Sequence, residues 1–222
     1  GLLSTGHPNC YHTVGSAFAI RASSYCKQGG MNKRKAGEDF YFLQKFFDLG
    51  CFGMCTETKI IPSPRPSSRV PFGTGQAVSD YLSSEKEFMS FHPELFKILH
   101  RFISDITSFY NKKPAQVEAI ISRYEDCMQR YLINNQFYNK IREIQANAAG
   151  QASFIKRFFR WFNMFQMLKF MNSSKSDFPD LPVIEGALAF LRQRGDTFYT
   201  DNTKDLLEYF RKMERSIPLQ QL

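Results

Sequence analysis

Between Phe88 and Phe109 the apolar residues step by three and four: Phe88, Phe91, Leu95, Leu99, Phe102, Ile106 and Phe109. That spacing follows the turn of an α-helix and lays one apolar stripe along it, whereas a strand would alternate with a period of two. Pro93 suits the first turn, where a missing N–H costs nothing. A second helix opens at Pro114, with a stripe of Val117, Ile120, Ile121, Tyr124, Met128 and Tyr131; Phe137, Ile141 and Ile144 continue the pattern. Gly150 breaks it ahead of a helix over Ala152 to Met171. Shorter helices are predicted near Pro182 to Arg192 and Thr203 to Arg215. Residues 81–222 therefore read as a helical domain.

Residues 1–80 differ in texture, being rich in Gly, Ser and Pro with strand-like runs. Val14 to Arg21 reads as a buried strand. Ala22 to Gln28 reads as a short helical turn stopped by Gly29-Gly30, and Glu38 to Leu49 as a helix stopped by Gly50. Thr56 to Ile61 alternates into a second strand, which Pro62-Ser63-Pro64 ends. The expected class is α+β, mostly α.

The chain has 222 residues, 43% of them hydrophobic, which suits a globular protein with a sizeable core and excludes disorder. Its 23 Phe predict an aromatic core or a surface that meets something apolar. A net charge of +8 favours anionic partners: nucleotide diphosphates, phospholipid headgroups or nucleic acid. The excess is shared evenly, with nine Lys/Arg against five Asp/Glu in residues 1–80 and twenty against sixteen in the rest. No nucleic-acid motif is present and the cations form no single stripe, so nucleic acid is not the expected partner. Cys10, Cys26, Cys51, Cys55 and Cys127 are odd in number in a chain that is not small, which points to reduced thiols in a cytoplasmic setting. Cys51 and Cys55 lack two further ligands at zinc spacing. No apolar run reaches membrane-spanning length and no signal peptide opens the chain.

The chemically informative stretch runs from Gly29-Gly30-Met31 to Gly37-Glu38-Asp39-Phe40. Taken bare, two acids in the first turn of a helix are what the helix dipole favours. The order around them carries more: a strand, a small helix, Gly-Gly-Met, then Gly-Glu-Asp opening a helix of aromatic and aliphatic residues. Over roughly residues 8–75 this order resembles the acceptor-side half of family 2 glycosyltransferases of the GT-A fold. The resemblance implies a partial GT-A sheet in residues 1–80 and an inverting transfer of sugar from a nucleotide-sugar donor to a hydroxyl acceptor, lipid-linked or on a cell-surface glycan. It implies Asp39 as the general base, which takes the acceptor's proton from about 2.6–3.2 Å as the oxygen attacks the anomeric carbon. It gives Glu38 a neighbouring role, orienting the loop or binding acceptor hydroxyls. Gly37 lets the backbone approach the sugar.

Arg65 and Arg69 follow the second strand, where processive members of the family carry Gln-x-x-Arg-Trp. The Gln and Trp are absent here, and so are the transmembrane helices that follow in those enzymes. The two arginines could still neutralise a departing nucleoside diphosphate, for which the guanidinium is well shaped. Lys33-Arg34-Lys35 reads as an exposed basic loop. The family usually holds Mg2+ or Mn2+ through an Asp-x-Asp motif, and this chain has none. The expectation is therefore a truncated enzyme whose donor and metal site lies elsewhere, with no metal bound to this chain and no activity of the chain alone.

Phe154 to Phe165 interleaves aromatics with Lys156, Arg157 and Arg160. Such a helix either lies at the inner face of a membrane, which suits a lipid-linked acceptor, or buries its aromatics in a bundle while the cations snorkel outward. Self-association through faces meant for a missing half stays open as well. The alternative reading of the whole chain is a non-catalytic helical interaction module, in which Glu38-Asp39 is only a helix start.

Overall fold

The computed structural model of the chain describes residues 1–11, 17–31, 33, 37–50, 52–53, 55, 60–61, 74–83 and 87–216, and these are mostly helical. Two compact units form, one from residues 11–87 with 207–222, the other from residues 1–10 with 88–206.

In the first unit, α1 (Ala22–Lys27) ends on Gly29 and Gly30, whose φ angles of 68° and 70° lie in the left-handed region. Their N–H groups reach back to the carbonyls of Cys26 and Tyr25 at 3.0 and 3.1 Å, satisfying the helix end. Helix α2 (Glu38–Gln44) starts from Gly37 with two acids in its first turn. It is shorter than the sequence predicts, because a 3-10 turn over Phe47–Leu49, closed by Gly50, replaces its last part. Phe42, Leu43 and Phe46 form a small buried core with Ile20 and Phe52 packed against it. Helix α3 (Thr74–Ser83) follows, in a stretch the periodicity left unassigned.

Neither predicted strand forms among the described residues of 1–80. Ala17 to Arg21 carry no ladder, and Ile60 and Ile61 are 70% and 89% exposed with no pairing. Val14 to Ser16 and Thr56 to Lys59 lie outside the described residues. The strands that form among the described residues are β1 (Met89–Ser90) and β2 (Leu181–Pro182), paired antiparallel in the other unit with Met89 opposite Pro182 and Ser90 opposite Leu181.

That pairing explains why Phe88 and Phe91 leave the helical stripe. Helix α4 (Pro93–Ser104) cannot extend upstream, since proline pushes the preceding residue into extended geometry, and His92 is extended at φ −60°, ψ 132°. The remaining stripe behaves as read: Leu95, Leu99, Phe102, Ile106 and Phe109 are all buried. The Pro114 stripe divides into α5 (Pro114–Ile121) and α6 (Asp126–Asn134). Between them Tyr124 turns inward, and its hydroxyl donates to Asp105 Oδ2 at 3.1 Å.

Helix α7 (Phe137–Ala146) leads to α8 (Gln151–Trp161) and α9 (Met164–Ser173), two helices where the spacing predicts one. The Asn163 side chain accepts from the N–H groups of Phe165 and Gln166 at 3.0 and 3.2 Å, starting a new helix in mid-stripe. Helices α10 (Val183–Gln193) and α11 (Thr203–Ser216) complete the order. At the centre of this unit the Phe102 ring, fully buried, meets the rings of Tyr124, Phe137, Phe158 and Phe162 at centroid distances of 4.9 to 6.0 Å. Edge-to-face pairs of this kind add about 0.5–1.5 kcal/mol each beyond their burial. Among the described residues, no helix is long and apolar enough to cross a membrane.

Candidate functional site

Helix α2 carries the two acids of the Gly-Glu-Asp motif, and its register separates them. Asp39, Phe42, Leu43 and Phe46 stand at i, i+3, i+4 and i+7, so Asp39 heads the stripe that forms the small core. It is accordingly half-buried, while Glu38, a quarter-turn away, is exposed. The Asp39 Oδ1 accepts from the backbone N–H of Phe40 at 2.8 Å, one of the donors a helix start leaves without a partner. Gly37 supplies the entry to the helix at φ 71°, ψ 17°, a left-handed conformation that a side chain disfavours. Its carbonyl accepts the first helical bond, from Tyr41 N at 3.2 Å.

The preceding Gly29-Gly30 turn is held from two sides. From α1, the Tyr25 hydroxyl accepts from Met31 N at 3.3 Å, and a Cβ on Gly30 would come within 3.1 Å of that hydroxyl. From the end of α2, Lys45 Nζ donates to the carbonyls of Gly30 and Gln28 at 3.0 and 3.4 Å. The Tyr25 ring meets Phe42 edge-on at 5.6 Å, and Phe18 lies 5.9 Å from the same ring. The turn and the Asp39 helix are therefore tied to one aromatic cluster. Sequence reasoning did not find Tyr25 and Lys45. A tyrosine before a Gly-Gly pair is a weak signal, and nothing in the spacing links Lys45 to a turn fifteen residues upstream.

Of the other residues singled out from the sequence, Lys33 is exposed, and Arg34, Lys35, Arg65 and Arg69 lie outside the described residues. Among the described residues no three His, Cys, Asp or Glu side chains converge. Cys10, Cys26, Cys55 and Cys127 are free thiols, with Cys26 and Cys55 exposed.

The aromatic-basic segment of α8 divides by burial. Phe154, Phe158 and Phe162 are fully buried, and Lys156, Arg157 and Arg160 are exposed. These three aromatics serve the bundle core and the cations face outward, while Phe159 and Trp161 are half-buried and Phe165 is exposed.

Comparisons of the chain with protein families, with curated proteins and with solved structures find no match.

Proposed function

We propose that the chain is the acceptor-side part of an inverting glycosyltransferase, which passes a sugar from a nucleotide-sugar donor to a hydroxyl acceptor. The observation that carries this reading is Asp39 itself, half-buried at the head of the α2 stripe behind a left-handed glycine, with one carboxylate oxygen oriented by the Phe40 N–H. In this reaction the acceptor oxygen forms a bond to the anomeric carbon, the bond to the diphosphate oxygen breaks, and the acceptor proton passes to the Asp39 carboxylate. A base must be held in one orientation for that transfer, and the first helical turn, packed on Phe42 and Leu43, holds it. Gly37 leaves room for the sugar to approach the backbone. Exposed Glu38 faces the acceptor's hydroxyls, and Arg65 and Arg69 meet the departing nucleoside diphosphate.

The test is transfer by the natural full-length protein. Incubated with a panel of nucleotide sugars and hydroxyl acceptors, it should release nucleoside diphosphate and yield a glycoside of inverted anomeric configuration by NMR. Retained configuration, or no release with any donor, would remove the proposal.

A further inference from the structure

Helices α6 and α9 pack through Tyr131, whose ring meets Phe170 edge-on at 5.4 Å and whose hydroxyl donates to the Gln166 carbonyl at 2.8 Å. Beside this contact lies a cavity of about 300 Å³, lined by Arg130, Asn134 and Asn135 from the α6 side and Lys169 and Ser173 from α9. Its volume is at the lower end of the range for small-molecule sites.

The lining carries two cations and no carboxylate. From Ile144 to Ser176 there is no Asp or Glu, while Lys156, Arg157, Arg160, Lys169 and Lys175 all fall in that stretch; the carboxylate that follows it is Asp177. Arg130 has one carboxylate partner, Asp177, on its Nη2 at 2.5 Å. That contact fixes the guanidinium, and its other N–H groups have no protein partner among the described residues. Lys169 Nζ sits 4.8 Å from the centre of the Phe165 ring, and among the described residues no carboxylate pairs with it. The Asn134 amide likewise has no side-chain partner among them. Cys127 also lines the cavity; burial pushes its thiol up, so it stays protonated and adds no negative charge.

We propose that this groove binds a phosphoryl group, with Arg130, Lys169 and the Asn134 amide as its donors. Arg130, Asn134 and Lys169 line one space, and the guanidinium N–H groups that Asp177 does not use, together with the Lys169 ammonium, suit the several oxygens of a phosphoryl group better than a single carboxylate. On α9 Phe165 and Leu168 are exposed next to Lys169, apolar side chains outside the groove lining that a phosphate on a lipid could use as readily as a free phosphate could ignore them. The proposal does not depend on the transferase reading.

Amide NMR of the full chain, titrated with inorganic phosphate to millimolar concentration, tests it. Saturable shifts are expected at residues 130–135 and 169–173. Lys169→Gln, at an exposed position that does not threaten folding, should weaken binding about tenfold or more. Asn134→Ala should weaken it severalfold. Lys97→Gln, which removes a cation paired with Glu94 on α4, should leave it unchanged. Flotation with vesicles of phosphatidic acid in phosphatidylcholine, against phosphatidylcholine alone, separates the sources. Flotation that needs phosphatidic acid and fails in Lys169→Gln assigns a lipid phosphate; phosphate shifts without flotation assign a free one. Absence of both overturns the proposal, and so does binding that neither Lys169→Gln nor Asn134→Ala weakens.

Discussion

The Nε2 of His7 lies 2.8 Å from the carbonyl oxygen of Phe162, the residue that closes α8. A carbonyl only accepts, so Nε2 carries the proton, and Nδ1 in turn accepts from Asn9 N at 3.1 Å. The imidazole is thus neutral, with both nitrogens used, buried at 4% exposure and edge-on to Phe159. Burial lowers its pKa from 6.5 to about 4, against the smaller opposing effect of the Phe162 hydrogen bond. The unfolded chain therefore binds this proton at higher pH than the folded one does. Stability from His7 is fully present above pH 6.5 and is lost as pH falls towards 4, by about 3 kcal/mol. Denaturant unfolding at a series of pH values should show that loss in the wild type and a flatter profile in His7→Gln. Parallel profiles would contradict it.

Gly186 on α10 faces Ser90 on β1 so closely that a Cβ at Gly186 would stand 2.2 Å from the Ser90 Oγ, yet 3.6 Å from the Ser90 Cβ. Gly186→Ala should therefore destabilise, by about 1–2 kcal/mol, despite alanine's better helix propensity. In a Ser90→Ala background the same change should be neutral or stabilising. A double-mutant cycle with no coupling between the two sites would refute the contact.

Asn163→Ala removes the side chain that starts α9, and should cost about 1 kcal/mol in thermal or denaturant unfolding. A variant as stable as the wild type would mean that α8 and α9 separate for another reason.

Asn163 also shows where the sequence stops being legible. Periodicity finds which residues are buried, as at Leu95, Leu99, Phe102, Ile106 and Phe109, and around Asn163 the residues Phe154, Phe158, Phe162, Met167 and Phe170 are buried as well. It does not show the break at Asn163, because no Gly or Pro marks it and apolar residues stand on both sides of the cap. Tyr124 does the same between α5 and α6, counting as a stripe member while standing in a turn. Strand-like runs fail differently. Alternation such as that ending at Ile60-Ile61 describes a segment that could pair, and pairing depends on a neighbour the segment itself does not specify. At the candidate site the helix start and its glycine were legible from local chemistry. The Lys45 and Tyr25 contacts on the Gly29-Gly30 turn arise only once α1 and α2 share a core.

Gly30→Ala should be costly on two counts, a φ of 70° and a Cβ 3.1 Å from the Tyr25 hydroxyl. We expect a loss of about 1–2 kcal/mol in the stability of this unit. Tyr25→Phe should relieve little of it, since the ring carbons lie equally close at 3.2 Å. Hydrogen exchange at Phe42 and Leu43 reads the effect locally, and unchanged protection would contradict the clamp.

In the proposed transfer Asp39 is the base. The most direct measurement is turnover of the natural full-length protein and of its Asp39→Asn variant, with donor affinity measured alongside by calorimetry. Nucleoside diphosphate release should fall by about 10²–10⁴-fold while the donor binds nearly as tightly as before. Glu38→Gln should have the smaller effect. Unchanged turnover in Asp39→Asn would contradict the account, and so would a loss of turnover explained entirely by a loss of donor binding.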